Sequence, residues 1–177
     1  QRERQYVSEA MRRFFFFSVV YLWCLCVVNA QDCALIRQTD PYTKLTTLST
    51  GYHKMPGGSL LLDASKTEID WMLEVGAGDV CFDDETTVQV FFEGTKIRLM
   101  FRNSGTMNCE GLLHVLFKNA SGTNYQLNKL ITLPIQRIVI TTVAKKEWVI
   151  EPNAEQRAKW IRSATCLVEE AKKMLTQ

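Results

Sequence analysis

The chain has 177 residues, 46% of them hydrophobic, with 21 basic and 19 acidic side chains and a formal charge of +2. Arg2, Arg4, Arg12 and Arg13 against Glu3 and Glu9 lie in the first 30 residues, so 17 bases and 17 acids remain from Gln31 onward. That neutral remainder lacks the basic excess that neutralises phosphates, which argues against a nucleic-acid partner, and its length suits one domain with a real core.

Residues 11–30 read as an export leader. Arg12 and Arg13 form a basic start, 14–28 an apolar block, and Val28-Asn29-Ala30 a small-residue cleavage site. The block has 15 residues, short of the roughly 17 to 25 that a spanning helix needs. Asn29, Gln31 and Asp32 follow at once and prevent its extension. Cleavage after Ala30 is therefore expected, leaving no stable membrane span and placing the protein outside the cell or in the lumen of the secretory pathway. Residues 1–10 precede Met11, the expected initiator, and are set apart from the fold together with the leader. An amphipathic mitochondrial presequence is excluded by the unbroken Phe/Val/Leu/Cys block.

Residues 31–58, rich in Thr, Ser, Pro and Gly, are expected to form an irregular lead-in or edge strand ending at the turn Met55-Pro56-Gly57-Gly58. The domain proper is expected over 59–177. Residues 59–63 are a short apolar strand. In 67–75, Ile69, Trp71 and Leu73 fall on one face, the period of a half-buried strand. Residues 86–92 and 95–102 form a hairpin about Glu93-Gly94, and Ile97, Leu99 and Phe101 alternate with Lys96, Arg98, Met100 and Arg102. Further strands are expected at 111–119, 125–133, 135–143 and 146–151, with Pro134 barred from a central ladder.

The period then changes. Asn153 and Gln156 make a capping box. Trp160, Ala164, Leu167, Ala171 and Met174 recur at helical spacing, which predicts an amphipathic helix from Asn153 to about Leu175 docked on a sheet.

Cys24 and Cys26 leave with the leader, and Cys33, Cys81, Cys109 and Cys166 remain. An even number in an oxidising compartment implies two disulfides, with three connectivities open. The preferred pairing is Cys81 with Cys109 within the sheet and Cys33 with Cys166 tying the chain ends. The longer loop constrains the unfolded chain by roughly 4 to 5 kcal/mol in the entropy model. Asn119-Ala120-Ser121 is a glycosylation sequon in a predicted turn, where a sugar would stay in solvent.

Residues 63–93 carry nine acids and one base, and 94–146 carry eight bases and one acid. Opposite charges on facing strands are expected to pair; a dipolar surface that steers a charged partner is the alternative. Asp79, Asp83, Asp84 and Glu85 lack the alternation of a calcium loop and read as a solvated acidic turn. His53 and His114 stand without a nucleophile motif, and there is no Gly-rich phosphate loop, His-Glu-x-x-His or carboxylate pair. No cofactor, metal or catalytic residue is therefore expected. Trp71, Trp148 and Trp160 occupy periodic apolar positions and are expected in the core or at a helix–sheet seam.

Lys146-Glu147-Trp148-Val149-Ile150-Glu151 followed by 153–164, with Glu155 and Trp160 at Glu-x-x-x-x-Trp spacing, resembles the end of a pleckstrin-homology domain. The resemblance covers roughly the last 30 residues and implies a β-barrel of about seven strands closed by one helix. The Lys/Arg cluster with which that family binds phosphoinositides is missing between Lys44 and Lys66. The early Gly-x-Trp of the lipocalins, which also join a barrel to a late helix, is missing too.

The expected fold is thus mainly β, a single antiparallel barrel or sandwich of about seven strands with one C-terminal amphipathic helix. The expected function is a secreted, disulfide-stabilised, non-enzymatic binding or interaction module, whose partner is a protein or a small apolar ligand. The alternatives are a carrier with an apolar cavity of roughly 300 Å³ or more and a secreted hydrolase with His53 or His114 in a cleft.

Overall fold

A computed structural model describes residues 33–76 and 80–176. The leader at 1–30, with Cys24 and Cys26, and the Asp79 of the acidic turn lie outside the described residues. In chain order the elements are β1 (Ile36–Thr39), β2 (Thr46–Ser49), β3 (His53–Met55), β4 (Gly58–Ala64), β5 (Glu68–Glu74), β6 (Thr87–Phe92), β7 (Arg98–Arg102), β8 (Leu112–Lys118), α1 (Tyr125–Thr132), β9 (Ile135–Thr141), β10 (Glu147–Ile150) and α2 (Ala154–Lys173). A single 3₁₀ turn, Met174–Thr176, follows α2.

The strands form two antiparallel sheets in a sandwich-like arrangement rather than a closed barrel. One runs β1-β2-β4-β5-β8, with β3 also paired to β4; the other runs β10-β9-β6-β7. Residues 31–58, expected as a lead-in, supply β1, β2 and β3. β2 and β3 share one edge of β4, Leu48 opposite Ala64 and His53 opposite Leu60. Between them Thr50 bridges the break: its N–H donates to Leu62 O at 2.9 Å and its hydroxyl accepts from Leu62 N–H at 3.0 Å.

Alternation along the strands decides what faces inward. Leu60, Leu62, Ile69, Trp71, Leu73, Leu113, Val115 and Phe117 line the inner face of the larger sheet. Val88, Val90, Leu99, Phe101, Ile138 and Ile140 line that of the smaller one. The two faces meet at Phe101, edge-on to Trp71 with ring centroids 5.7 Å apart and to Phe117 at 5.9 Å. Each fully buried side chain of this size contributes roughly 1.5–3 kcal/mol, against about 1 kcal/mol for a typical hydrogen bond, so this seam sets the packing.

Residues 125–133, expected as a strand, instead form α1. Leu127, Leu130 and Ile131 lie on one helical face and are buried, whereas a period of two would have set Lys129 beside Leu127 and Ile131 in the core. Asn124 caps the helix, its Oδ1 accepting from the N–H of Gln126 at 2.8 Å and of Leu127 at 3.5 Å. Helix α2 forms as expected, with the reciprocal Asn153–Gln156 capping box at 2.9 Å each way. It buries Trp160, Ala164, Leu167, Val168 and Ala171 and packs on β2, β3, β4 and α1. Two side chains of α2 fix α1 in place: Trp160 Nε1 donates to Leu130 O and Thr165 Oγ1 to Ile131 O, both at 3.0 Å.

Among the described residues, the expected pairing of the acidic and basic stretches across a sheet is confined to Glu68 opposite Lys118, which makes no ion pair. The acids of β5 and the arginines of β7 lie in different sheets. Glu68 stands opposite Lys118, but Asp70 stands opposite Asp63, an unfavourable neighbour. The ion pairs formed among the described residues are Arg157 with Glu93, Lys173 with Glu170 and, when the imidazole is charged, His114 with Asp70.

Candidate functional site

The four cysteines pair as Cys81–Cys109 and Cys33–Cys166. The first closes the loops around the isolated bridge of Phe82 to Asn108; the second ties the start of the fold to α2, with Cα atoms 6.0 Å apart. Asn119 corrects an expectation. Its side chain is buried, 3% exposed, and Nδ2, the atom a glycan would need, donates to Ser65 O at 3.0 Å and Ala171 O at 2.9 Å. The sequon's asparagine closes β8 against α2 instead of standing in a solvated turn.

The histidines take separate structural places. His53 is buried edge-on to Trp160, ring centroids 5.6 Å apart. Burial, then the charge of Lys159, holds its pKa below the ordinary value, which favours the uncharged ring. His114 Nδ1 meets Asp70 Oδ2 at 2.8 Å on the outer face of the larger sheet. Burial pushes the Asp70 carboxyl up; the His114 bond and charge offset part of that, while Asp63 and Glu68 add to it. A base oriented by a carboxylate is two-thirds of a nucleophile-activating arrangement. Among the described residues, however, no side-chain hydroxyl or thiol hydrogen-bonds His114. Asp83 is spent on its turn: its Oδ1 accepts from Thr86 Oγ1 at 2.7 Å and its carbonyl from Asn103 Nδ2 at 3.0 Å.

Trp71 and Trp160 are in the core, as expected, while Trp148 is half-buried. Its ring stands edge-on to Phe82, 5.8 Å away, with Lys146 Nζ 4.9 Å above it. It forms one wall of an open cleft of about 510 Å³, whose other walls include Lys54, Ser59, Glu74 and the backbone of Gly57 and Gly58. Met55 and Val75 add apolar lining beside Trp148, but the cleft is open to solvent and lies outside the space between the sheets. The space between the sheets that a carrier would keep open is taken by Trp71, Phe101 and Phe117.

The outer face of the smaller sheet is built differently. The register of its four strands aligns Met100, Gln89, Val139 and Val149 in one row across the sheet. Met100 is 60% and Val149 42% exposed. On one side lies the row Arg98, Phe91 and Arg137, with the Arg137 guanidinium 4.5 Å from the Phe91 ring. On the other lies Arg102 with Thr87, Thr141 and Glu147. Arg98, Arg102 and Arg137 make no ion pair with any described residue. Sequence alternation marks the basic face of β7; the row across four strands depends on long-range pairing and has no local signal.

No family model, no curated protein and no solved structure matches this chain.

Proposed function

We propose that this chain is an exported, disulfide-stabilised, non-enzymatic interaction module that binds a protein partner on the outer face of its four-stranded sheet. The observation that carries the reading is the row Met100, Gln89, Val139 and Val149, apolar but for Gln89 and flanked by arginines that have no acidic partner among the described residues. Exposed apolar side chains rimmed by charge are the usual composition of a protein-binding surface. Export is supported by the leader-like residues 11–30 and by Cys33, Cys81, Cys109 and Cys166 being paired, which suits an oxidising compartment. Among the described residues no helix is long and apolar enough to cross a membrane.

The test is to express the full chain in a secreting host and map it under non-reducing conditions. The expected product begins at Gln31 and carries both bridges. A photo-crosslinking residue is then placed at 100, at 149 or, as a control on the other sheet, at the exposed Leu116. Adducts from 100 and 149 that are absent from 116, and lost on Val149→Glu in the chain labelled at 100, are expected. Equal adducts from all three sites sink the reading.

A further inference from the structure

A sheet has two edges whose backbone groups must be paired, covered or left to water, and this fold treats its edges unequally. At β8, the loop after β7 covers the outward groups: His114 O accepts from Ser104 N–H at 2.7 Å, His114 N–H donates to Asn103 Oδ1 at 3.0 Å, and Leu112 O accepts from Asn108 Nδ2 at 2.8 Å. At β10, the turn before β4 closes the edge. Glu151 N–H donates to Pro56 O at 3.1 Å, and Gly57, at φ +89°, lies so close to Val149 O that any Cβ there would collide with it.

The edge of β7 has no such cover. Asn103 N–H donates to Thr86 O at 2.9 Å, which fixes the phase of the antiparallel ladder. Residues 101 and 99 exchange bonds with Val88 and Val90, so the N–H and C=O of Arg98, Met100 and Arg102 point away from the sheet. None of these groups has a hydrogen-bond partner among the described residues. The same three residues present their side chains on the outer face.

We propose that β7 is a docking edge, and that its occupant is an extended acidic segment of a partner protein, added as a fifth strand to the β10-β9-β6-β7 sheet. This rests on the interaction-module reading above and names the partner's chemistry at that surface. An added strand sets its residues directly beside Arg98, Met100 and Arg102, so charge complementarity asks for Asp or Glu, then an apolar residue, then Asp or Glu, at every second position. The intervening residues face Leu99 and Phe101, which are already 7% exposed, and so must be small. Arginine on an edge also deters unwanted pairing, and an acidic strand is the kind its charge attracts.

The probe is the peptide acetyl-Thr-Glu-Ser-Val-Ser-Glu-Thr-amide, titrated into the isotopically labelled full chain and followed by amide shifts and hydrogen exchange. The amides of 98, 100 and 102 are expected to shift and slow their exchange, with weaker binding as salt rises. Arg98→Glu with Arg102→Glu should weaken binding at least about tenfold, and the lysine version of the peptide should not bind. Met100→Pro removes an outward donor that β6 does not use, and should abolish binding while leaving the arginines in place. If that variant unfolds, exchange protection in the native chain carries the test alone. No shift at about 1 mM peptide, or protection at residues other than 98, 100 and 102, overturns the proposal. Heparin retention or self-association in place of peptide binding, lost in the arginine variant but kept in Met100→Pro, also overturns it. Crosslinking from 149 that persists without peptide binding fails this inference alone, whereas loss of that crosslinking fails the wider reading.

Discussion

The side-chain amide of Asn119, at the end of β8, donates to the carbonyl of Ala171 in the last turn of α2, 2.9 Å away. The same nitrogen donates to Ser65 O at 3.0 Å, so one residue closes both the β4–β5 turn and the end of the helix against the sheet. Asn119→Ala leaves the carbonyls of Ser65, Ala171 and, more weakly bound at 3.4 Å, Lys66 without this donor, and should cost about 2–3 kcal/mol in urea unfolding. Ser121→Ala destroys the sequon without touching these bonds and should leave stability unchanged. Folded secreted material should carry an unmodified Asn119 by peptide mass; a glycan there in the native protein contradicts the role assigned to its Nδ2.

Trp160 and Thr165 hold α1 through the carbonyls of Leu130 and Ile131. Trp160→Phe removes one bond and some buried volume, and should cost about 2–3 kcal/mol. Thr165→Val should cost about 1 kcal/mol. Both anchors act on the same short helix, so the double variant should be non-additive by about 0.5 kcal/mol or more. Strict additivity by chemical denaturation would mean that α1 docks independently of them.

His53 is buried, its Nε2 has no hydrogen-bond partner among the described residues, and its pKa is depressed from 6.5. The unfolded chain therefore takes up a proton on this group first as pH falls. Its contribution to stability is present above pH 6.5 and is lost as pH drops below that value toward the folded pKa. His53→Phe keeps an aromatic ring beside Trp160 and should flatten the stability curve on the acid side of 6.5. An unchanged slope would show that other groups govern acid sensitivity.

Asp70 has the opposite sign. Its folded pKa is raised above 3.8, by burial first, so its contribution is fully present below 3.8 and declines as pH rises through the folded value. Asp70→Asn removes the buried charge and the repulsion from Asp63 while its Oδ1 can still accept from His114. The variant should gain stability relative to the parent as pH rises above 3.8, read from urea midpoints at a series of pH values. A constant difference across pH would detach Asp70 from the titration.

Local patterns carried much of the architecture. Alternation in 86–92 and 95–102 about Glu93-Gly94 located the hairpin of β6 and β7, with Gly94 at φ +69° in its turn. The capping box at Asn153 located the start of α2. Residues 125–133 carry an ambiguous local signal, because an eight-residue helix contains a single apolar cluster, Leu127, Leu130 and Ile131, which fits a short strand almost as well. Cysteine count left three connectivities open, and the pairing depends on which distant segments come together, the segment leading into β1 beside α2 in one case and the loops flanking Phe82 and Asn108 in the other.

By itself, then, the sequence determined the antiparallel β character, the hairpin, the capped C-terminal helix and the apolar faces that meet in the core. Each of these follows from the period of neighbouring side chains or from a cap within a few residues. Tertiary structure alone decided that Asn119 is a buried clamp, that Asp70 faces Asp63, and that β8 and β10 are covered at their edges while β7 is left open. These depend on which distant segments come to lie side by side, because a backbone group is satisfied or exposed by its neighbour in space and not by its neighbour in the chain.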